Sequence, residues 1–399
     1  AARAGRPNPS RHRMKSLFLL LALCLGSAAF GQVEECSYHP AGVSFAIDGM
    51  HRSDVLPNGF LRTFLVGGLL EPTELEGIRN RMEGPGVGYL GVSAGHALSW
   101  HGLVGPSGRV PRVSLASRGL MSAGVAEGLF SLVFQGNAPD LGQTLDLAPT
   151  RVRWLQWNRL AFGLGNAEGT SFVDVGLYQA AWGADGAIES GAFYVSEGVD
   201  ALAAGLDAEA SFWDRAGWGL GLDFRHQWGE EQWWALEVQD FGVVRYGTGE
   251  RAVADTGLVT TGLPWSGPGW TVEGVQEEGF GEELYVRKRV GEGWQVLPAR
   301  GTVRAGTTWS NEWAGEAALT WGGWMPRPRL AVRAAWAPRA EWGVELGAIA
   351  GGWGLVRPVV GVSHATTNGR WAMVWDDPVG SLSANGLGRG ASVVWSRNW

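Results

Sequence analysis

Between Arg225 and Glu237 the chain reads RHQWGEEQWWALE, and between Arg333 and Glu345 it reads RAAWAPRAEWGVE. The two stretches share four positions at one spacing: an arginine, a tryptophan, a second tryptophan and a glutamate. Folding the first back on itself with Trp228 opposite Trp234 puts Arg225 opposite Glu237, on the face away from the indoles. The same fold in the second sets Trp336 opposite Trp342 and Arg333 opposite Glu345. Directly opposed side chains on paired strands sit about 5 Å apart, so each guanidinium is expected to meet its carboxylate. A third stretch, RAGTTWSNEWAGE, repeats the plan: Trp309 and Trp313 flank a turn, and Arg304 lies opposite or diagonal to Glu316. Each hairpin reads as one slice of a transmembrane β-barrel. Indoles at the turn point outward into an aromatic girdle, and paired charges point inward to a polar lumen.

Outward from these hairpins the same period-two pattern continues from about residue 87 to the end. Trp218, Leu220, Leu222, Phe224 and Trp228 fall on one face, with Gly219, Gly221, Asp223, Arg225 and Gln227 on the other. Successive strand side chains point to opposite faces, so such a segment has one apolar and one polar-or-small face. Segments of about ten residues suit tilted, bilayer-spanning strands, whereas soluble sandwich strands are usually nearer five or six. A β-sandwich with chance tryptophan pairs is the competing architecture. The pattern predicts an all-β, antiparallel transmembrane barrel of about 14 strands, within a range of about 12 to 16. The short turns at 229–233, 310–312 and 337–341 are expected on the periplasmic side, with the stretch 247–298 and the loop 377–386 on the exterior. The stretch 247–298, with its PWSGPGW and EELYVRKR segments, could fold back as an extra strand or a cap.

Composition agrees. Charged residues are 18% of the 399, below the roughly 25% of soluble domains. Glycine (63) and tryptophan (23) are in excess. A net charge of −7 with no Lys/Arg-rich face argues against nucleic acid. Near the N-terminus, Met14 and Lys15 precede an apolar run from Leu17 to Leu25 and then GSAAFG, the layout of a secretory signal peptide cut after Gly31, with residues 1–13 as an upstream remnant. A lipoprotein anchor on Cys24 is disfavoured by Leu23 before it. Cleavage leaves one cysteine, Cys36, so no internal disulfide can form. Beyond residue 31 no apolar run reaches the roughly 20 residues of a membrane-spanning helix. The segment 32–86 lacks alternation. Its PTELEGIRNRM carries a capping-box spacing at Thr73 and Glu76, predicting a short helix over 74–82 in a periplasmic preface, a partial plug or a linker. The expected organisation is therefore 1–31 signal and remnant, 32–86 preface, 87–399 barrel. The C-terminal GASVVWSRNW alternates, with Trp395 and Trp399 placed as the aromatic strand by which outer-membrane assembly machinery recognises its clients. Arg397 interrupts that apolar face.

Two motifs invite catalytic readings and lose them. Gly91-Val92-Ser93-Ala94-Gly95 matches the nucleophile elbow, which needs a strand, a sharp turn and a helix. The HALSWHGLV that follows keeps alternating. Asp240-Phe241-Gly242 copies a kinase triplet without the partners that chemistry requires. Continued register would aim Asp240 into lipid at considerable cost, so a bulge is expected near 239–242 to turn it inward. The histidines show no metal-ligand spacing, and one cysteine builds no zinc site. No cofactor, metal or catalytic residue is expected.

FLRTFLVGGLLEPTELEGIRNRMEGPGVGY, SLASRGLMSAGVAEGLFSLVFQGN, WWALEVQDFGVVRY and LPARGTVRAG, in that order, resemble an uncharacterised outer-membrane β-barrel family of Gram-negative bacteria. That family stands beside the barrels of gliding and type IX secretion and the fatty-acid-channel-like porins. The resemblance implies a closed barrel and an outer-membrane location, and it carries no substrate and no functional residues. Two functions stay open. In one the protein is a channel or transporter for a small or apolar solute, its lumen lined by Asp223, Arg225, Glu237, Arg304, Glu316, Arg333 and Glu345. In the other those charges fill a closed lumen, and the barrel is a lipid-embedded anchor or assembly partner of a surface or secretion complex.

Overall fold

Alternation becomes strand almost throughout, because a strand whose two faces differ in polarity is stable only where one face meets lipid or core and the other meets polar groups. The computed structural model describes residues 41–199, 201–213, 216–247, 249–261, 286–290, 292–339 and 341–398. The signal peptide, Cys36, the PWSGPGW segment and Trp399 lie outside the described residues.

The strands are β1 (Gly42–Ser53), β2 (Val87–His101), β3 (Arg109–Ala126), β4 (Thr144–Asp146), β5 (Thr150–Asn166), β6 (Phe172–Val195), β7 (Ala201–Trp213), β8 (Gly217–Trp228), β9 (Gln232–Tyr246) and β10 (Gly249–Thr261). They continue with β11 (Val286–Val290), β12 (Gly293–Val296), β13 (Arg300–Thr308), β14 (Trp313–Gly322), β15 (Arg329–Arg339), β16 (Trp342–Gly351), β17 (Gly354–Thr366), β18 (Gly369–Asp376) and β19 (Gly388–Asn398). Helices are α1 (Asn58–Val66), α2 (Pro72–Met82), α3 (Glu127–Phe134) and α4 (Pro378–Leu382).

Among the described residues the ring runs β1-β2-β3-β5-β6-β8-β9-β13-β14-β15-β16-β17-β18-β19, fourteen antiparallel strands, and closes where β1 pairs with β19 from Gly42↔Asn398 to Arg52↔Gly388. Closure leaves no strand edge, which is what lets β structure cross a bilayer. Phe45, Leu98, Leu115, Phe162, Val175, Leu220, Leu330 and Leu346 are exposed on the outward face. The sandwich alternative fails here, since Trp228, Trp234, Trp336 and Trp342 are exposed rather than buried between layers.

The chain ends at 42 and 398 share one rim with the short turns at 229–231, 309–312 and 367–368. The opposite rim carries the long connections 54–86, 127–149 and 377–387. Three lines of strand continue past that rim. The first part of β6 pairs with β8 and its second part with β7, while β10 pairs with both β7 and β11. The stretch 247–298 therefore does supply extra strands.

Two expectations need correction. The barrel begins at Gly42, not at 87, because β1 is the strand that closes the ring. The helix in PTELEGIRNRM forms, but in the β1–β2 connection at the long-loop rim, so it is no preface at the short-turn end. It starts at Pro72 with Glu71 as an N-cap that makes no side-chain bond, so the capping box is not formed. Proline at the first turn serves instead, since its missing N–H would be unsatisfied there anyway. Leu75, Ile78 and Met82 bury the face spaced three and four residues apart.

Candidate functional site: the barrel lumen

The charge pairs come first. Arg225 lies opposite Glu237, and Trp228 opposite Trp234, in the register the hairpin implied. Glu237 nevertheless bonds elsewhere: its carboxylate takes Arg304 at 3.1 Å and the Gln239 amide. Among the described residues Arg225 makes no ion pair. In the second hairpin the register is displaced by two, with Trp336 opposite Val344 and Arg333 opposite Gly347. The cause is Pro338, which has no N–H for the ladder and sits in an irregularity between Trp336 and Arg339, so Arg339 rather than Trp336 faces Trp342. A shift of two keeps every side chain on its face. Arg333 still reaches Glu345 diagonally, at 3.2 Å. Arg304 is opposite Ala318 and diagonal to Glu316, at 3.3 Å. Because Glu316 lies opposite Arg333, the three hairpins join into one inward row of alternating sign: Glu237, Arg304, Glu316, Arg333, Glu345.

A second cluster continues this belt. Asp223 pairs with Arg159, and Asp174 with Arg112 at 3.4 Å. The β8–β9 register shifts between Leu222 and Phe224, which is the bulge expected near 239–242. It turns Asp240 inward, 1% exposed, with φ of 55°. There Asp240 meets Arg118 at 3.2 Å and accepts from the Tyr178 hydroxyl at 3.2 Å, while its own N–H donates to Asp223 at 2.7 Å. Arg118 belongs to β3 and reaches across the lumen. Its inward parity was legible, but no spacing along the chain announces a partner 122 residues away.

Toward the long-loop rim the lumen turns apolar. Met50, Leu120, Leu155, Trp157, Tyr178, Trp213, Val244, Leu297 and Trp353 form a buried cluster joined by Tyr246, Trp324 and Met325. Aromatic rings here lie flat against glycines of neighbouring strands. A Cβ on Gly91 would stand 2.1 Å from the Trp353 ring, and one on Gly183 2.5 Å from that of Trp213. Trp233 covers Gly306, and Trp321 covers Gly301, in the same way. Such pairs give the joint excess of glycine and tryptophan a physical meaning: a ring covers the backbone that glycine leaves bare. The elbow-like Gly91 and Ser93 are part of this wall, in the unbroken strand β2. Between the apolar cluster and the belt lies a cavity of about 30 Å³ lined by Asp48, Ser93, Arg118, Arg300, Trp157 and Trp353, room for a water or two. At the short-turn rim a mouth of about 240 Å³ opens beside Glu345, Ser363, Arg370 and Glu312.

The long-loop rim carries a small helical unit, the cap, whose apolar residues pack on one another and on Leu90 and Val125. Phe60 and Phe64 of α1 pack on Phe130 and Phe134 of α3, with centroids 5.4–6.1 Å apart. Arg79 of α2 pairs with Glu127 and Asp140. Asn58 ties the cap to the barrel through His51 at 2.9 Å and to α4 through the Gly380 carbonyl at 2.9 Å. Beneath, Arg52 and Arg357 share Asp376 at 3.0 and 2.9 Å. Beside the cap, burial pushes the Asp54 carboxyl up, against the Tyr89 N–H and Arg327 that favour its charge.

On the outer surface Trp228, Trp234, Trp309, Trp313, Trp336 and Trp342 are all exposed near the short-turn rim, and Trp313 stacks on Trp336 at 5.9 Å. Trp395 joins them, while Trp399 is outside the described residues. Trp218, Trp294 and Trp321 are exposed toward the other rim. Trp218 and Trp228 stand near the two ends of the 12-residue β8; a tilted strand of that length rises about 25 Å.

No protein-family model matches this sequence, and no curated protein does. Solved structures similar to the chain include the toluene transporter TodX of P. putida, with a TM-score of 0.41 and 9% identity over 91% of each chain. The Ralstonia pickettii toluene transporter TbuX gives 0.39 and 11%, over 94% of this chain and 92% of that one. A Pseudomonas aeruginosa FadL homologue gives 0.37 and 9%, over 90% and 88%.

Proposed function

We propose that the protein is an outer-membrane channel of a Gram-negative cell that admits a small apolar solute from the long-loop side. The observation that carries this reading is the apolar, aromatic layer packed inside a closed barrel, toward the rim from which a solute arriving from the exterior enters. A lumen built only as polar filling has no need of that layer, whereas an apolar solute leaves water for it spontaneously. The two outer tryptophan rims mark the lipid–water boundaries. The short-turn rim, with both ends of the barrel chain, is periplasmic. The belt from Glu237 to Glu345 lines the periplasmic half of the lumen and sets what ions share it. Trp395 belongs to the strand read by the assembly machinery. The test is uptake of a radiolabelled monocyclic hydrocarbon by cells expressing the protein, against cells carrying empty vector. Rates above the control support the channel; equal rates at confirmed surface expression reject it.

One observation favours the second reading, an anchor for a surface complex. The raised sheet of β6, β7 and β10 carries an almost wholly apolar groove of about 260 Å³ lined by Val152, Ile188, Ala208, Ala210 and Ala252. Co-purification of a surface partner with the intact protein, lost on Ala210→Glu, would support the anchor in place of the channel.

A further inference from the structure

Most of the apolar layer is carried by the wall, but two of its indoles, Trp353 and Trp324, come from turns, and Trp353 is the fully buried one. The hairpin between β16 and β17 is Gly351-Gly352-Trp353-Gly354, with Gly351 paired to Gly354 and φ of 81° and 73° at the first two glycines. A two-residue tip at a barrel rim ordinarily points to water. This one turns inward: Trp353 is 3% exposed, and its ring lies on Gly91 of β2, where a Cβ would come within 2.1 Å. Its Nε1–H donates to the Ser122 hydroxyl of β3 at 3.0 Å, and that hydroxyl donates to the Trp324 carbonyl at 2.9 Å. Trp324, itself at φ of 59°, belongs to the neighbouring turn between β14 and β15. The indole thus stretches from one side of the ring to strands on another, and it also lines the 30 Å³ cavity above the charged belt.

From this we infer that Trp353 is the gate of the lumen, a latch that must lift off Gly91 and Ser122 for solute to pass from the apolar layer toward the belt. Its holding contacts suit reversible opening. They are apolar surface and one indole hydrogen bond to a neutral hydroxyl, with no ion pair to break, on a turn whose three glycines swing at low steric cost. Gly91 is the seat: only a residue without a side chain admits the ring there.

The gate rests on the channel reading, and one uptake experiment separates the two. Hydrocarbon uptake is measured for empty vector, the native protein and the Trp353→Ala, Gly91→Ala and Ser122→Ala variants, with folding verified by heat-modifiable mobility on gels. Trp353→Ala and Gly91→Ala are expected to raise uptake severalfold, the second by occupying the seat while leaving the indole intact. Ser122→Ala removes only the hydrogen bond and is expected to raise uptake about fivefold at most, the shift in population that one such bond supports. Native uptake above the vector with no change in any folded variant overturns the gate and spares the channel. Uptake at the vector level for the native protein and every variant removes the channel, and the gate with it. Should Trp353→Ala not fold, Gly91→Ala and Ser122→Ala decide the matter by the same criteria.

Discussion

Arg304 and Arg225 differ by what the closed ring does to them. Arg304 is buried between Glu237 and Glu316, and removing one member of a buried ion pair leaves an uncompensated charge that costs about 3–5 kcal/mol. Arg304→Ala is therefore expected to lower the urea midpoint of the barrel in lipid vesicles strongly. Arg225→Ala should cost under about 1 kcal/mol, as for a charge with no partner held in place. Equal losses in the two would show that the row from Glu237 to Glu345 is not the structural belt. At Asp240 the backbone conformation matters as much as the carboxylate. A non-glycine residue in the left-handed region costs roughly 1–2 kcal/mol, so Asp240→Gly should be the milder change and Asp240→Ala the harsher, by about that difference in unfolding free energy. Asp240 is also where the sequence is most informative about local shape. An acid that continued alternation would send into lipid was reason enough to expect a bulge, but Arg118 and Tyr178 as its partners were not visible.

Strands carry the composition. Gly306 and Gly119 sit in comparable strands, yet a methyl on Gly306 meets the Trp233 ring at 2.4 Å and one on Gly119 meets nothing within 4 Å. Overpacking of this kind costs about 1–3 kcal/mol, whereas replacing an unneeded strand glycine gains about 0.5–1 kcal/mol. Gly306→Ala should therefore lower the unfolding midpoint and Gly119→Ala hold or raise it, measured side by side. The helical cap is a separate element with its own apolar cluster. Deleting a buried phenylalanine removes about 3–5 kcal/mol from the unit it serves, more than a small cap can lose. Phe130→Ala is expected to expose 67–70 to limited proteolysis while the barrel keeps its heat-resistant mobility. If both elements loosen together, the cap is not independent. The cap's helix was expected from a capping-box spacing that the structure does not use, and its rim was not legible. That depends on β1 having already closed the ring, and β1 alternates too weakly to be read as a spanning strand: GVSFAIDGMHRS places Ile47, Asp48 and Gly49 in succession.

For the whole molecule the question is where lipid lies. Leu346 is 59% exposed, midway along β16 and between the two tryptophan rims. Arginine at the bilayer midplane of a barrel costs about 2–4 kcal/mol and at the interface about 0–1 kcal/mol. Leu346→Arg should thus destabilise the barrel in vesicles by the larger amount and Trp336→Arg by the smaller. Equal penalties would mean that the rims do not bracket the bilayer. The closed ring also explains why the charged belt and the aromatic cluster are layered. All inward positions at one height face one another, so residues far apart in the chain share one polarity at each level.

Side-chain periodicity is a local property, fixed by the geometry of the extended backbone, and so the sequence alone determined the strand type, the inward and outward faces and the tight hairpin of Arg225 and Glu237. A hairpin joined by three residues has almost no freedom of register. What depends on closure was decided by the tertiary structure: that Glu237 bonds Arg304 in place of the arginine opposite it, that Asp240 takes Arg118 from the far wall, and that a rim turn lays Trp353 on Gly91. Those contacts join residues separated by 67, 122 and, through Ser122, 231 positions. No spacing encodes them, because they exist only once the curvature of fourteen paired strands has brought opposite walls within reach.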